Sequence, residues 1–278
     1  MSDAPRVPVE PKPAASVVLV RPARTGAPEP IEVYMIRRNR GMKFLGGYYA
    51  FPGGKVDPED AAPEVIARCH GLETVEAEEL FPGHGGAPAL AFWVTAVREL
   101  LEESGILLAC DIAGHSLDAA DPRVAEGIER CRKALMAGEA SFAALVAREG
   151  WHLDLAGLRY LSHYITPRSS PIRFTARFFL CRAPGDQAPR LFTEETSEGF
   201  WIHPAEGYRR FVAGAMAMAE PAEYSLAYLA QFCSLEELWA AHADRRHKFH
   251  GIIDRIEFWG DFDWKANRFP EGTTPPGR

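Results

Sequence analysis

The chain has 278 residues, 47% hydrophobic and 25% charged, enough to bury a full core in one enlarged domain or a domain with helical additions. Its formal net charge of −7, without a basic stripe interleaved with aromatics, argues against nucleic acid as a partner, and no stretch is long enough to span a membrane. Cys69, Cys110, Cys131, Cys181 and Cys233 are odd in number and form no C-x-x-C pair, and the N terminus is rich in Pro and charge rather than signal-like, so a cytoplasmic protein is expected.

Residues 1–13 have the composition of a disordered tail, and strands are predicted at Ala15 to Val20 and Ile31 to Arg37, joined by a Gly/Pro loop. The run Phe51-Pro-Gly-Gly-Lys-Val-Asp57 follows, where Gly53 and Gly54 allow a turning backbone to approach a ligand. Pro58 to Ala87 holds a predicted helix at Pro63 to Cys69 and a loop from Phe81 to Ala87. Ala89 to Ser104 carries an apolar stripe of Leu90, Trp93, Val94, Val97, Leu100 and Leu101 at helical spacing, and Gly105 stands where a left-handed cap is expected.

Within residues 117–157, Pro122 to Met136 and Ala140 to Arg148 read as paired helices. Strands return at Tyr160 to Ile165, Phe174 to Cys181 and around Glu198 to His203. Residues 216–250 form a helical extension, with one or two helices between Ala222 and His242, and 251–278 an irregular tail.

The chemistry concentrates on the helix ending at Ser104. Glu99, Glu102 and Glu103 stand three and four apart, so their carboxylates share one face and repel one another unless a cation sits among them. Hard cations such as Mg2+ take carboxylate oxygen and complete their shell with water and phosphate. The bland alternative is a solvated acidic face. Arg168 and Arg173 flank a Pro/Ser turn where guanidinium forks could reach phosphate, against a reading as solvated surface. Glu194, Glu195 and Glu198 form a second acidic cluster, whereas His70, His84, His163, His203, His242, His247 and His250 lack a metal-like context.

Phe51 to Asp57 and Arg98-Glu-Leu-Leu-Glu-Glu-Ser-Gly-Ile106 together resemble the signature of the Nudix hydrolases, G-x5-E-x7-R-E-U-x-E-E-x-G-U with U aliphatic. Anchored on Gly54, Asp60 takes the first Glu position, and residues 61–97 stand where the pattern has x7. The resemblance implies a Nudix α/β/α sandwich of mixed sheet with helical insertions over residues 14–215, the box being split by an insert at 61–88. That insert reads either as a lid that selects substrates or as peripheral padding.

The same resemblance implies that Glu99 and Glu103 bind Mg2+ or Mn2+ with help from Glu102 and the backbone near Gly54, while Arg98 orients the box carboxylates. It also offers Glu198 as a late carboxylate for metal binding or general-base work. The F-P-G-G-x-x-D opening, Tyr164-Ile-Thr-Pro167 and Arg173 to Leu180 are similar to the subfamily of coenzyme A and acyl-CoA diphosphatases. Its upstream coenzyme A signature is matched at Gly47 and Phe51, with Lys43 at the arginine position. The expected substrate is thus a small nucleoside diphosphate-linked molecule, coenzyme A or acyl-CoA first, with ADP-ribose, NADH or a nucleotide sugar as alternatives. A non-catalytic Nudix-fold binding module is the other class, disfavoured by the intact Glu99, Glu102, Glu103 set. Nothing in the sequence sets the oligomeric state.

Overall fold

The structure, a computed structural model, describes residues 9–168, 170–191, 196–246 and 251–252. Strands β1 (Lys12–Pro22) and β2 (Ile31–Arg38) are rich in Val and Ile, which suit a pleated, packed surface. Alternation along them feeds two cores: Ala15, Val17, Leu19, Tyr34 and Ile36 face one side, Val18, Val20, Ile31, Val33 and Met35 the other. A strand buried on both faces must lie at the centre of a layered fold.

The short strands β3 (Tyr49–Ala50) and β4 (Gly53–Lys55) come next, then a 3-10 turn at Pro58–Ala61, α1 (Pro63–Ile66), β5 (Cys69–His70), α2 (Thr74–Leu80) and α3 (Ala89–Ser104). Beyond them lie β6 (Ala109–Cys110), α4 (Pro122–Met136), α5 (Phe142–Arg148), β7 (His152–Asp154), β8 (Leu158–Ile165) and β9 (Phe174–Arg182). The chain continues through β10 (Thr196–Ile202), α6 (Pro204–Val212), α7 (Glu220–Leu229), α8 (Leu235–Ala241) and β11 (Gly251–Ile252).

The main sheet runs β10-β2-β1-β9-β8-β11, with β3 on β2 and β4 on β1, and β5-β7-β6 form a small second sheet. Because β1 pairs with β9 in parallel and with β2 antiparallel, the main sheet is mixed. Helices α1 to α5 supply one core, while α7 and α8 pack on the other with α6 against its edge. This is the α/β/α Nudix sandwich expected from the motif.

Four local expectations are revised. Lys12 and Pro13 belong to β1, paired with Phe174 and Thr175, and are not tail. Gly251 and Ile252 extend the sheet beside Tyr164 and Ile165. Helix α6, which the sequence reading left out, starts with Pro204 at its first position, where a missing N–H matters least. The segment at 61–88 is not peripheral padding: Val65, Leu72, Ala77 and Phe81 are buried in the α3-side core. Phe81 lies against Tyr160, Phe92, Trp93 and Phe179, and Arg177 covers its ring at 3.9 Å while donating to the Pro82 carbonyl. Glu194, Glu195, His247, His250 and the residues at 1–8 and 253–278 lie outside the described residues.

Candidate functional site: an arginine-braced acidic turn

Helix α3 buries Leu90, Trp93, Val97, Leu100 and Leu101 and ends at Gly105, whose left-handed φ of 75° and N–H to the Leu101 carbonyl close the last turn. That packing points Glu99, Glu102 and Glu103 toward β4. Three carboxylates at a helix C terminus work against the partial negative charge there, so the fold must compensate them locally.

Arg98 does most of this. Its Nε donates to Asp60 Oδ1 at 2.8 Å and its Nη2 to Asp60 Oδ2 and the Lys55 carbonyl, both at 2.9 Å. Its Nη1 donates to Glu99 Oε1 at 2.8 Å and Glu102 Oε1 at 3.1 Å, so all five guanidinium N–H groups are used. Burial opposes the charged form of Arg98, but the Asp60 hydrogen bonds and the charge of Glu99 outweigh it and raise the pKa further. Asp60, 1% exposed, also accepts from Thr95 Oγ1 and the Asp57 N–H. The shorter Asp side chain thus fills the first Glu position of the motif as the anchor of Arg98.

The glycines act through close approach. Gly54 pairs with Ala15 and Gly53 with Ser16, extending the sheet as β4. A Cβ on Gly54 would collide with the Glu99 carboxylate, and one on Gly53 with the Ala15 carbonyl and Ser16. The Gly53 N–H donates to Glu103 Oε2 at 2.8 Å. What requires glycine here is therefore the nearness of the acidic helix and of β1, whereas the sequence had suggested a turn.

Glu99, Glu102 and Glu103 form one wall of an open cleft of about 1560 Å³, together with Asp57, Arg98, Gly53 and Gly54. Burial pushes the Glu99 carboxyl up to about 7 despite Arg98, with Glu102 adding to the rise, and burial also raises Glu102. Among the described residues no three His, Cys, Asp or Glu side chains stand in ready-made coordination geometry, and Arg98 and the Gly53 N–H hold one oxygen of each glutamate. The donor set nevertheless fits a hard divalent cation: three carboxylates offer oxygen ligands, and a cation offsets the burial that disfavours their charge.

Lys43 is on the cleft wall. Arg173 also reaches that wall, but its Nε and Nη1 are committed to the carbonyls of Thr166 and Val9, which makes it a clamp on the backbone. Arg168 is exposed on its turn and is not part of the wall. Glu198 pairs across the strands with Arg37 at 2.8 Å and is likewise not part of the wall, because β10 registers it opposite that arginine. The sequence reading missed Glu220. The Tyr49 N–H bonds to the Ala217 carbonyl beside the Tyr49–Met218 bridge, which carries the start of α7 to the cleft. It also missed Lys133 and Met136 of α4, which line the same cleft. No local motif marks these residues, since only tertiary packing brings them there.

Comparison with known proteins agrees with this geometry. The family model for the NUDT19 Nudix domain matches residues 11–229. The acyl-coenzyme A diphosphatase NUDT19 of Gallus gallus is 28% identical over 277 aligned positions, covering 84% of this chain and 71% of the relative. The Homo sapiens protein of the same name is 27% identical, covering 88% and 74%. The crystal structure of a Nudix hydrolase from Alicyclobacillus acidocaldarius superposes with a TM-score of 0.65 at 29% identity, over 84% of this chain and 96% of that one. A matching family model over most of the chain and an acidic helix paired with a glycine strand lead to one assignment: this chain is a Nudix hydrolase and belongs to the NUDT19 Nudix domain family.

Proposed function

We propose that the protein hydrolyses the diphosphate of coenzyme A or acyl-CoA, giving 3′,5′-ADP and phosphopantetheine or its acylated form, with Mg2+ or Mn2+ as cofactor. The observation that carries this reading is the set of Glu99, Glu102 and Glu103 on one cleft wall, in a chain whose curated relatives bear the acyl-CoA diphosphatase name. Glu99, Glu102 and Glu103 would hold the cation. When bound, the cation would neutralise phosphate charge and acidify water. Water oxygen bonds to one phosphorus while that phosphorus loses the bridging oxygen, which stays on the other phosphate; each product keeps one phosphate of the former diphosphate, 3′,5′-ADP retaining its 3′-phosphate besides, and the protons of the water pass to the new phosphates or to solvent.

The chain's own residues set the geometry for this step. Arg98 keeps Glu99 and Glu102 aligned, and Gly53 fixes Glu103. Lys43 on the wall suits a phosphate outside the diphosphate, and Met136, beside Lys133 on the wall, suits an apolar attachment. Five free cysteines support a reducing compartment, and the cytoplasm is our reading for location.

Ranking kcat/KM for acyl-CoA, coenzyme A, ADP-ribose and NADH with Mg2+ and Mn2+ tests the substrate assignment. Acyl-CoA or coenzyme A should lead. A lead by ADP-ribose or NADH would replace it with a different Nudix diphosphatase activity, and turnover of none of them would favour a binding module.

A further inference from the structure

Arg132, on α4, is only 1% exposed, although burial works against its charge and lowers its pKa from the ordinary arginine value. Its Nε and Nη2 both donate to the backbone carbonyl of Glu102, at 3.1 and 2.8 Å. That carbonyl lies in the last turn of α3, where backbone acceptors have no helical N–H to meet and carry the partial negative charge of the helix end. Gly105 makes room for the contact, because a Cβ there would stand 2.7 Å from Arg132 Nη1. The glycine therefore meets two needs at once, a left-handed cap and passage for a buried guanidinium.

We propose that Arg132 is a positioning residue for the metal-binding turn: by gripping the Glu102 carbonyl it holds the backbone that presents the Glu102 and Glu103 carboxylates to the cleft. Two features set it apart from an ordinary core arginine. It comes from α4, within the helical addition to the sandwich, and it grips the backbone of the acidic turn, where Arg98 grips its side chains. Arg98 fixes carboxylates through their oxygens, whereas Arg132 fixes the peptide between two of them. The inference rests on the proposed function only in taking these carboxylates as the cation ligands.

Charge and positioning predict opposite signs. Removing a nearby positive charge would by itself tighten cation binding, whereas releasing the turn weakens it. Titration of Mn2+ followed by electron paramagnetic resonance reads binding without turnover. Arg132→Met should weaken Mn2+ binding about tenfold, in line with loss of a charge-assisted hydrogen bond. Arg132→Lys, which keeps the charge but loses the two-point grip, should fall between that variant and the native protein. Arg130→Met, on the same helix but exposed, should leave binding unchanged.

Unchanged or tighter Mn2+ binding in a folded Arg132→Met protein would overturn the proposal. Should that variant fail to fold, Arg132→Lys decides in the same way: weaker binding supports the brace and unchanged binding rejects it. Failure of the native protein to cleave acyl-CoA would remove the substrate assignment while leaving the Mn2+ comparison intact.

Discussion

Arg98 and Asp60, 38 positions apart, form a buried two-point ion pair with Nε to Oδ1 at 2.8 Å and Nη2 to Oδ2 at 2.9 Å. The pair ties the turn after β4 to the middle of α3, so the two motif halves meet despite the long segment between them. A buried pair is strongly destabilising when one partner is lost, because the other charge stays behind without compensation. The same guanidinium holds Glu99 and Glu102, which couples the stability of the fold to the alignment of the site.

Arg98→Lys should therefore lower both properties. A lysine cannot reproduce five N–H contacts, so stability should fall by about 3 kcal/mol and kcat by about a hundredfold, with KM nearly unchanged. Urea unfolding and steady-state kinetics on acyl-CoA check this. A large rise in KM at constant kcat would mean that Arg98 touches substrate instead.

Cation binding should depend on pH through Glu99. In the folded protein this carboxyl sits at about 7, above its ordinary 4.5. Between those values the fold retains a proton that the unfolded chain has released. Without divalent cations, the contribution of Glu99 to stability should therefore be fully present below about 4.5 and be lost as pH rises through 7. A cation competes with that proton, so Mn2+ affinity should rise about tenfold per pH unit below 7 and level off above it. Calorimetric titration from pH 5.5 to 8.5 measures the slope, and a flat profile would contradict the assignment of Glu99.

The segment at 61–88 should behave as core. Phe81→Ala should cost about 3–5 kcal/mol, as for other buried aromatic truncations, and leave the ranking of substrates intact. A changed ranking with little loss of stability would give it the role of a selective lid.

Selectivity should instead respond at α4. Met136 is exposed and lines the same cleft as the acidic turn. Met136→Glu should lower kcat/KM for a long-chain acyl-CoA about tenfold relative to coenzyme A, since a charge replaces an apolar contact. An unchanged ratio would place the acyl group elsewhere.

Much of this architecture was legible in the sequence because its signals are local. The stripe from Leu90 to Leu101 and the glycine after Ser104 specify α3 from end to end, and E-x-x-E-E puts three carboxylates on one face. The helices predicted at 122–136 and 140–148 and the strands predicted at 160–165 and 174–181 were visible in the same way, whereas β6 and β7, two and three residues long, were too short to read. Contacts between distant segments were not. Arg132 reaches Glu102 through tertiary packing alone, and Glu198 resembled a site residue until β10 registered it opposite Arg37. The hydrophobicity of Val65, Leu72 and Phe81 marks residues to be buried without saying whether a lid or the core buries them.

In the proposed reaction, the carboxylates at the end of α3 would hold the cation while water cleaves the diphosphate of coenzyme A or acyl-CoA. Mass-spectrometric identification of products from acyl-CoA and Mn2+, for the native protein and Glu103→Gln side by side, tests it most directly. The native protein should release 3′,5′-ADP and acyl-phosphopantetheine only with the metal. The variant should remain folded and lose at least about a hundredfold in rate, the scale for removing one charge-stabilising group from a preorganised site. Metal-independent cleavage, or equal rates for the two proteins at saturating Mn2+, would contradict the account.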